Sequence, residues 1–114
     1  MDERNLQNKS FRFAIRIVNL VKILDTRKAF TLSKQLLRSG TSIGANIAEA
    51  QHAQSRADFL SKLNIALKEA YETDYWLRLL EATDYLTDTE FASIYADCDE
   101  LIRILVASVK TSKL

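Results

Sequence analysis

A chain of 114 residues, 47% of them apolar, has room for a single domain spanning 1–114 and enough hydrophobic surface for one continuous core. The absence of proline and the presence of only two glycines, Gly40 and Gly44, argue against a β-rich domain, whose tight turns draw on both residue types. The formal net charge of +1 hides a split: residues 1–48 carry nine Lys/Arg against three Asp/Glu, and residues 49–114 carry seven against twelve. Such a split points to complementary faces within an assembly, or to a basic face for a polyanion.

Apolar residues recur at helical spacing in four segments. The first runs from about Leu6 to Asp25, with Phe13, Ile17, Leu20 and Leu24 on one stripe, and Asp25-Thr26-Arg27-Lys28 interrupts it. Thr31 is the candidate N-cap of the second, whose stripe is Leu32, Leu36, Ile43, Ile47 and Ala50. Within it, Gly40 and Gly44 lie in a patch of small residues that reads as close helix–helix approach. A phosphate-cradling turn would need a strand-to-helix setting and a following Gly-Lys, and neither is present. The third helix opens at Ser55, where Ser55-x-x-Asp58 resembles a capping box, and carries Phe59, Leu63, Ala66, Ala70 and Leu77 to about Thr83. Thr87-x-x-Glu90 is a capping box for the fourth, with its seam at Phe91, Ile94, Cys98, Leu101, Leu105 and Val109. Short connections make successive helices neighbours, so the expected fold is all-α, an antiparallel up-down-up-down four-helix bundle.

Two helices carry more apolar surface than one seam uses. Phe11, Ala14, Val18 and Val21 form a second stripe on the first helix. Ile65, Trp76, Leu79 and Leu80 do the same on the third. Large exposed patches are rare on soluble monomers, so Phe11, Val18, Val21, Ile65, Trp76, Leu79 and Leu80 are read as an interface between copies. A homo-oligomer is expected.

Catalytic chemistry finds no complete site. Glu49-x-x-His52 with Glu69 and Glu72 has the flavour of a di-iron bundle, but such centres need a second Glu-x-x-His and this chain has one histidine. No metal and no cofactor are therefore expected. Glu69 and Glu72 read better as a solvated face or an interhelical salt bridge. Cys98 lies on an apolar seam between Asp97 and Asp99, where burial and negative charge both disfavour a thiolate. The serines have no triad geometry to draw on. No enzyme is expected. Arg38, Ser42, Asn46 and Glu49 share one side of the second helix and read as a polar seam that sets packing register. Lys9, Arg12, Arg16 and Arg27 project within about 60° of one another on the first helix. Cationic stripes of this kind track phosphate backbones. A solvated face is the plainer account of this one, because no aromatic side chain interleaves with it to stack bases.

The opening Asp2-Glu3-Arg4 lacks an apolar leader, no uninterrupted apolar run reaches membrane-spanning length, and a lone Cys98 forms no intrachain disulfide. A cytoplasmic protein without membrane contact is expected.

The stretch Leu-Ser-x-Gln-Leu-Leu-Arg-Ser-Gly-Thr-Ser-Ile-Gly-Ala-Asn-Ile-Ala-Glu, from Leu32 to Glu49, is followed by Ser55, Asp58, Phe59, Leu63, Ala66, Lys68, Glu69, Glu72, Thr73 and Leu77. Together with Ser10 to Ala14 it resembles the four-helix bundle proteins encoded within intervening sequences of 23S ribosomal RNA genes. Ala50 departs from the glycine that often follows the Glu in that family. The resemblance implies a ring-like homopentamer. It also implies kinship with the accessory protein of diversity-generating retroelements, which is thought to engage nucleic acid and a reverse transcriptase. The resulting expectation is a nucleic-acid-binding adaptor, for RNA or DNA. The alternative is a protein–protein scaffold that docks another chain.

Overall fold

The computed structural model describes residues 3–113, with side chains from Asn5 onward. Four helices account for nearly all of it: α1 (Glu3–Thr26), α2 (Phe30–Ala50), α3 (Arg56–Ala82) and α4 (Asp88–Ser112). No strand occurs among the described residues. Each of α1 and α3 packs against α2 and α4, and neither α1 with α3 nor α2 with α4 is in contact. The helices thus stand at the corners of a square, with α1 and α3 on one diagonal.

The seams read from the sequence form one core. Phe13, Ile17 and Leu24 of α1, Leu36, Ile43 and Ile47 of α2, Leu63, Ala66, Ala70 and Leu77 of α3, and Ile94, Cys98, Leu101 and Leu105 of α4 are all buried together. Burial of each large aliphatic or aromatic side chain contributes about 1.5–3 kcal/mol, which exceeds any helix propensity term in these sequences.

The glycines show why α1 and α2 lie close. A Cβ added at Gly40 would stand 2.8 and 2.9 Å from the two γ carbons of Ile17, and one at Gly44 would stand 3.3 Å from the carbonyl oxygen of Ser10. Close approach is the role these positions play.

The capping box at Thr87 is complete, whereas at Ser55 only the hydroxyl half forms and the Asp58 carboxylate turns to the residue before the N-cap. The Ser55 hydroxyl accepts from the Asp58 N–H at 3.0 Å, and Asp58 accepts from the Gln54 N–H at 3.2 Å. Thr87 and Glu90 exchange bonds at 3.1 and 2.9 Å. The second helix starts differently. Thr31 is not its N-cap: the helix begins at Phe30 behind Ala29, with no side-chain cap. Lys28 adopts a left-handed conformation (φ 65°), so the chain reverses within three residues and the Ala29 N–H returns to the Leu24 carbonyl at 3.1 Å. The Ser33 hydroxyl then donates to Asp25 at 2.6 Å and clamps the turn from inside the helix.

Candidate interaction surfaces

Three of the four cations expected to form a stripe on α1 are committed to α4. Lys9 Nζ lies 3.0 Å from Glu100. Arg16 reaches Asp97 at 2.6 Å and both the carbonyl and the hydroxyl of Ser93. Arg27 holds Glu90 in a two-pronged pair at 2.8 Å per bond and also donates to the Tyr85 carbonyl. The Arg27 guanidinium, with the Thr87 N–H next in weight, holds the Glu90 carboxyl well below its ordinary value, at about 2. Arg12 alone points free of any ion pair among the described residues. Lys22, Lys28 and Lys34 also lack a carboxylate within ion-pair reach among the described residues, as do Arg56 and Lys68 of α3 and Lys110 and Lys113 at the end of α4.

The polar seam of α2 divides in two. Arg38 crosses to α3, where it meets Glu69 at 3.1 Å and also pairs with Glu72. Glu72 in turn accepts from the Trp76 indole at 2.9 Å. Behind this network the hydroxyls of Ser39 and Thr73 lie 2.9 Å apart in the core. Ser42 and Asn46 bond instead to carbonyls one turn back on their own helix, of Arg38 and Ser42 respectively. Glu49 faces Lys62 at 3.6 Å across the α2–α3 boundary. Glu69 and Glu72 are therefore interhelical salt-bridge partners, and Ser39 and Thr73, which carry no pattern distinguishing them from ordinary small residues in the sequence, complete the layer.

The expected interface residues separate by depth. Phe11, Val18 and Ile65 are exposed. Trp76 and Leu79 are half-buried. Val21 and Leu80 lie in the core of the subunit, so they are not surface residues: the second stripes begin on the flank of the first and their inner members join it. Pattern reading missed Ile15, Ile23 and Phe30, and Tyr71 and Tyr75 on the outer face of α3, all of them exposed. Two apolar faces result, one on α1 around Phe11, Ile15 and Val18, the other on α3 around Ile65, Tyr71 and Tyr75.

Two grooves flank α1. The one toward α2 encloses about 590 Å³; Ala14, Gly44, Ala45 and Ala48 make its floor, and Phe11 and Arg12 stand at its edge. The one toward α4 encloses about 390 Å³ beside Arg16, Ile23 and Glu90. Cys98 is fully buried, its Sγ 3.6 Å from the Ala70 carbonyl, and burial first, then Asp74 and Asp99, pushes its thiol up to about 12. His52 is exposed at the end of α2. No group of three His, Cys, Asp or Glu that could hold a metal is gathered among the described residues. No helix among them is long and apolar enough to cross a membrane.

The family model of the 23S rRNA-intervening sequence protein matches residues 3–107, which takes in α1, α2, α3 and most of α4. The chain belongs to that family. Within the 23S rRNA-intervening sequence proteins, this chain is similar to a crystal structure from Bacteroides thetaiotaomicron VPI-5482, described as a protein of unknown function from the S23 ribosomal protein family. The two share 56% identity and a TM-score of 0.94, over 96% of this chain and 99% of that one. No curated protein matches the chain. In this family member the Leu32–Glu49 motif builds two contacts: its glycines and Ser39 face inward to α1 and α3, and Arg38 bridges to Glu69 and Glu72.

Proposed function

We propose that this protein is a non-catalytic, homo-oligomeric adaptor, a cytoplasmic scaffold built on an antiparallel up-down-up-down bundle. The running order of the cross-helix contacts supports that path: Lys9, Arg16 and Arg27 meet Glu100, Asp97 and Glu90 in descending order, and Arg38 and Glu49 meet Glu69 and Lys62 likewise. The observation that carries the functional reading is the pair of exposed apolar faces on diagonal helices. Contact between copies buries such faces, and a scaffold offers a partner whatever apolar surface the assembly leaves exposed.

The α3 face suits contact between copies. Tyr71 and Tyr75 are 51% and 50% exposed, one turn apart, and amphipathic rings of this kind are enriched at interfaces. Five subunits is the number implied by the family resemblance. Light scattering should give a mass several times 13.0 kDa, and Tyr71→Glu with Tyr75→Glu should reduce it to one subunit while helical content stays. A wild-type protein that is monomeric at micromolar concentration ends the reading.

A second reading, binding of RNA or DNA, is favoured by one observation: Arg12, Lys22, Lys28 and Lys34, all between the start of α1 and the first turns of α2, have no ion pair among the described residues. Salt-sensitive binding to generic RNA tests it.

A further inference from the structure

The two apolar faces of the chain differ in relief. Between α1 and α2 the surface is a trough. Ala14, Gly44, Ala45 and Ala48 floor it and present nothing longer than a methyl group, and the exposed Phe11 stands at its edge. On α3 the surface is a ridge, where Tyr71 and Tyr75 stand exposed one turn apart. Their spacings agree. The tyrosines are four residues apart, about 6 Å along the axis, and Gly44 and Ala48 repeat at the same interval. From Gln7 to Ala14 the trough runs about 10 Å, and its volume of about 590 Å³ has room for both rings. The chemistry agrees too. A buried phenol needs a hydrogen-bond partner, and Gln7 and Asn8 line the trough with side-chain amides. Arg12, at the edge and without an ion pair among the described residues, is placed to lie over a ring face as a cation–π partner.

We infer that the tyrosine ridge of one copy seats in the α1–α2 trough of the next, so that unlike faces meet head-to-tail. The inference rests on the homo-oligomer reading and names the surfaces that join. Because α1 and α3 stand on one diagonal of the bundle, ridge and trough do not meet within a subunit. Every subunit that gives its ridge keeps an open trough for another, and a head-to-tail contact whose rotation closes makes a ring. Contacts of like with like do worse. A two-fold axis through the middle of the tyrosine pair sets Lys68 of each copy opposite Arg78 of the other, which leaves the unpaired Lys68 facing a cation and both troughs empty. Two α1 faces in contact would leave all the tyrosines in water. Of the other large exposed apolar residues outside α1, Phe30, Ile65 and Val106 stand singly and make no second ridge. A foreign helix would need knobs of the same spacing, which every copy of this chain brings to the trough at equal concentration.

The test fills the trough and then mixes variants. Ala45 and Ala48 are exposed, so glutamine at both blocks the trough without entering the core and at little cost in helix propensity. Ala45→Gln with Ala48→Gln should lower the light-scattering mass from that of the wild-type assembly to 13.0 kDa, with circular dichroism unchanged. Ala45→Ser with Ala48→Ser, which forms helix less well but leaves the trough open, should keep the wild-type mass. The glutamine variant retains its ridge, and Tyr71→Glu with Tyr75→Glu retains its trough. Each alone should be one subunit, and the two mixed should form a single junction, giving twice 13.0 kDa and nothing larger. Three outcomes overturn the inference alone. A glutamine variant of wild-type mass would leave the trough to a foreign chain or a nucleic acid. A serine variant that dissociates as the glutamine one does would make the effect one of helix stability. A mixture that stays at one subunit would show that ridge and trough do not join. A monomeric wild type, by contrast, ends the homo-oligomer reading and the inference with it.

Discussion

Cys98 and Glu90 show how one side chain's surroundings set what it can do. The Cys98 thiol titrates near 12, against 9.0 for a free one, because burial and then Asp74 and Asp99 oppose the thiolate. Its folded value is raised, so the stability it contributes is full below pH 9 and is lost as pH climbs toward 12. A thiol reagent at pH 8 should accordingly modify Cys98 only as fast as the protein opens; rapid stoichiometric labelling of the native protein would contradict the burial. Glu90 is the opposite case, with its carboxyl held at about 2 by Arg27 and then by the Thr87 N–H. A depressed folded value means that its contribution is present above pH 4.5 and disappears as pH falls through 2. Arg27→Gln should flatten the fall of melting temperature between pH 5 and pH 2 relative to wild type, and parallel curves would show that the pair contributes nothing. Gly40 supplies a steric test. Alanine there gains about 1 kcal/mol of helix propensity, but its methyl would overlap the branch carbons of the fully buried Ile17, and overpacking costs about 1–3 kcal/mol. Gly40→Ala should lower the melting temperature by a few degrees. Gly44→Ala, whose Cβ meets one carbonyl at 3.3 Å, should be milder.

At the scale of helices, the features legible in the sequence were those carried by side chains at fixed offsets. Thr87 with Glu90 and Ser55 with Asp58 were readable because a hydroxyl and a carboxylate three residues apart satisfy the free N–H groups of a helix start. The core stripes were readable because 3.6-residue periodicity leaves few alternatives. The start of α2 was misread because its signal lies in the backbone: the left-handed Lys28 and the Ser33–Asp25 bond stop one helix and begin the next without a cap. Val21 and Leu80 were placed on the surface because periodicity gives an angle on a helix but not how far a neighbouring helix wraps around it. Paired substitutions test this account. Thr87→Ala should cost about 1 kcal/mol, seen as a lower melting temperature, whereas Thr31→Ala should stay within about 0.5 kcal/mol of wild type. Equal losses at the two positions would mean that Thr31 caps α2 after all.

For the whole molecule, the charge split of the sequence was legible and its destination was not. Sequence places nine cations in the first 48 residues and twelve acids in the rest, but only the bundle's corner arrangement reveals that Lys9, Arg16 and Arg27 find Glu100, Asp97 and Glu90 on α4, and Arg38 finds Glu69 and Glu72 on α3. Much of the asymmetry is thereby spent inside the subunit, and within the basic first 48 residues the described cations left for a polyanion are Arg12, Lys22, Lys28 and Lys34. Exposed pairs contribute only about 0–1 kcal/mol each, so a phosphate backbone could compete for Arg16, yet it would have to displace Asp97 and Ser93 to do so. If nucleic acid binds, then, Arg12→Ala with Lys22→Ala should weaken it most. Each lost phosphate contact should reduce the slope of log affinity against log salt by about 0.7–0.9. Arg16→Ala should leave the slope nearly unchanged and appear as a loosened α1–α4 boundary. Titrations of both variants against single- and double-stranded RNA at two salt concentrations separate the cases. A larger loss from Arg16→Ala than from the double variant would return the phosphate contacts to the paired stripe, and no binding of wild type at low salt would leave the protein scaffold as the sole account.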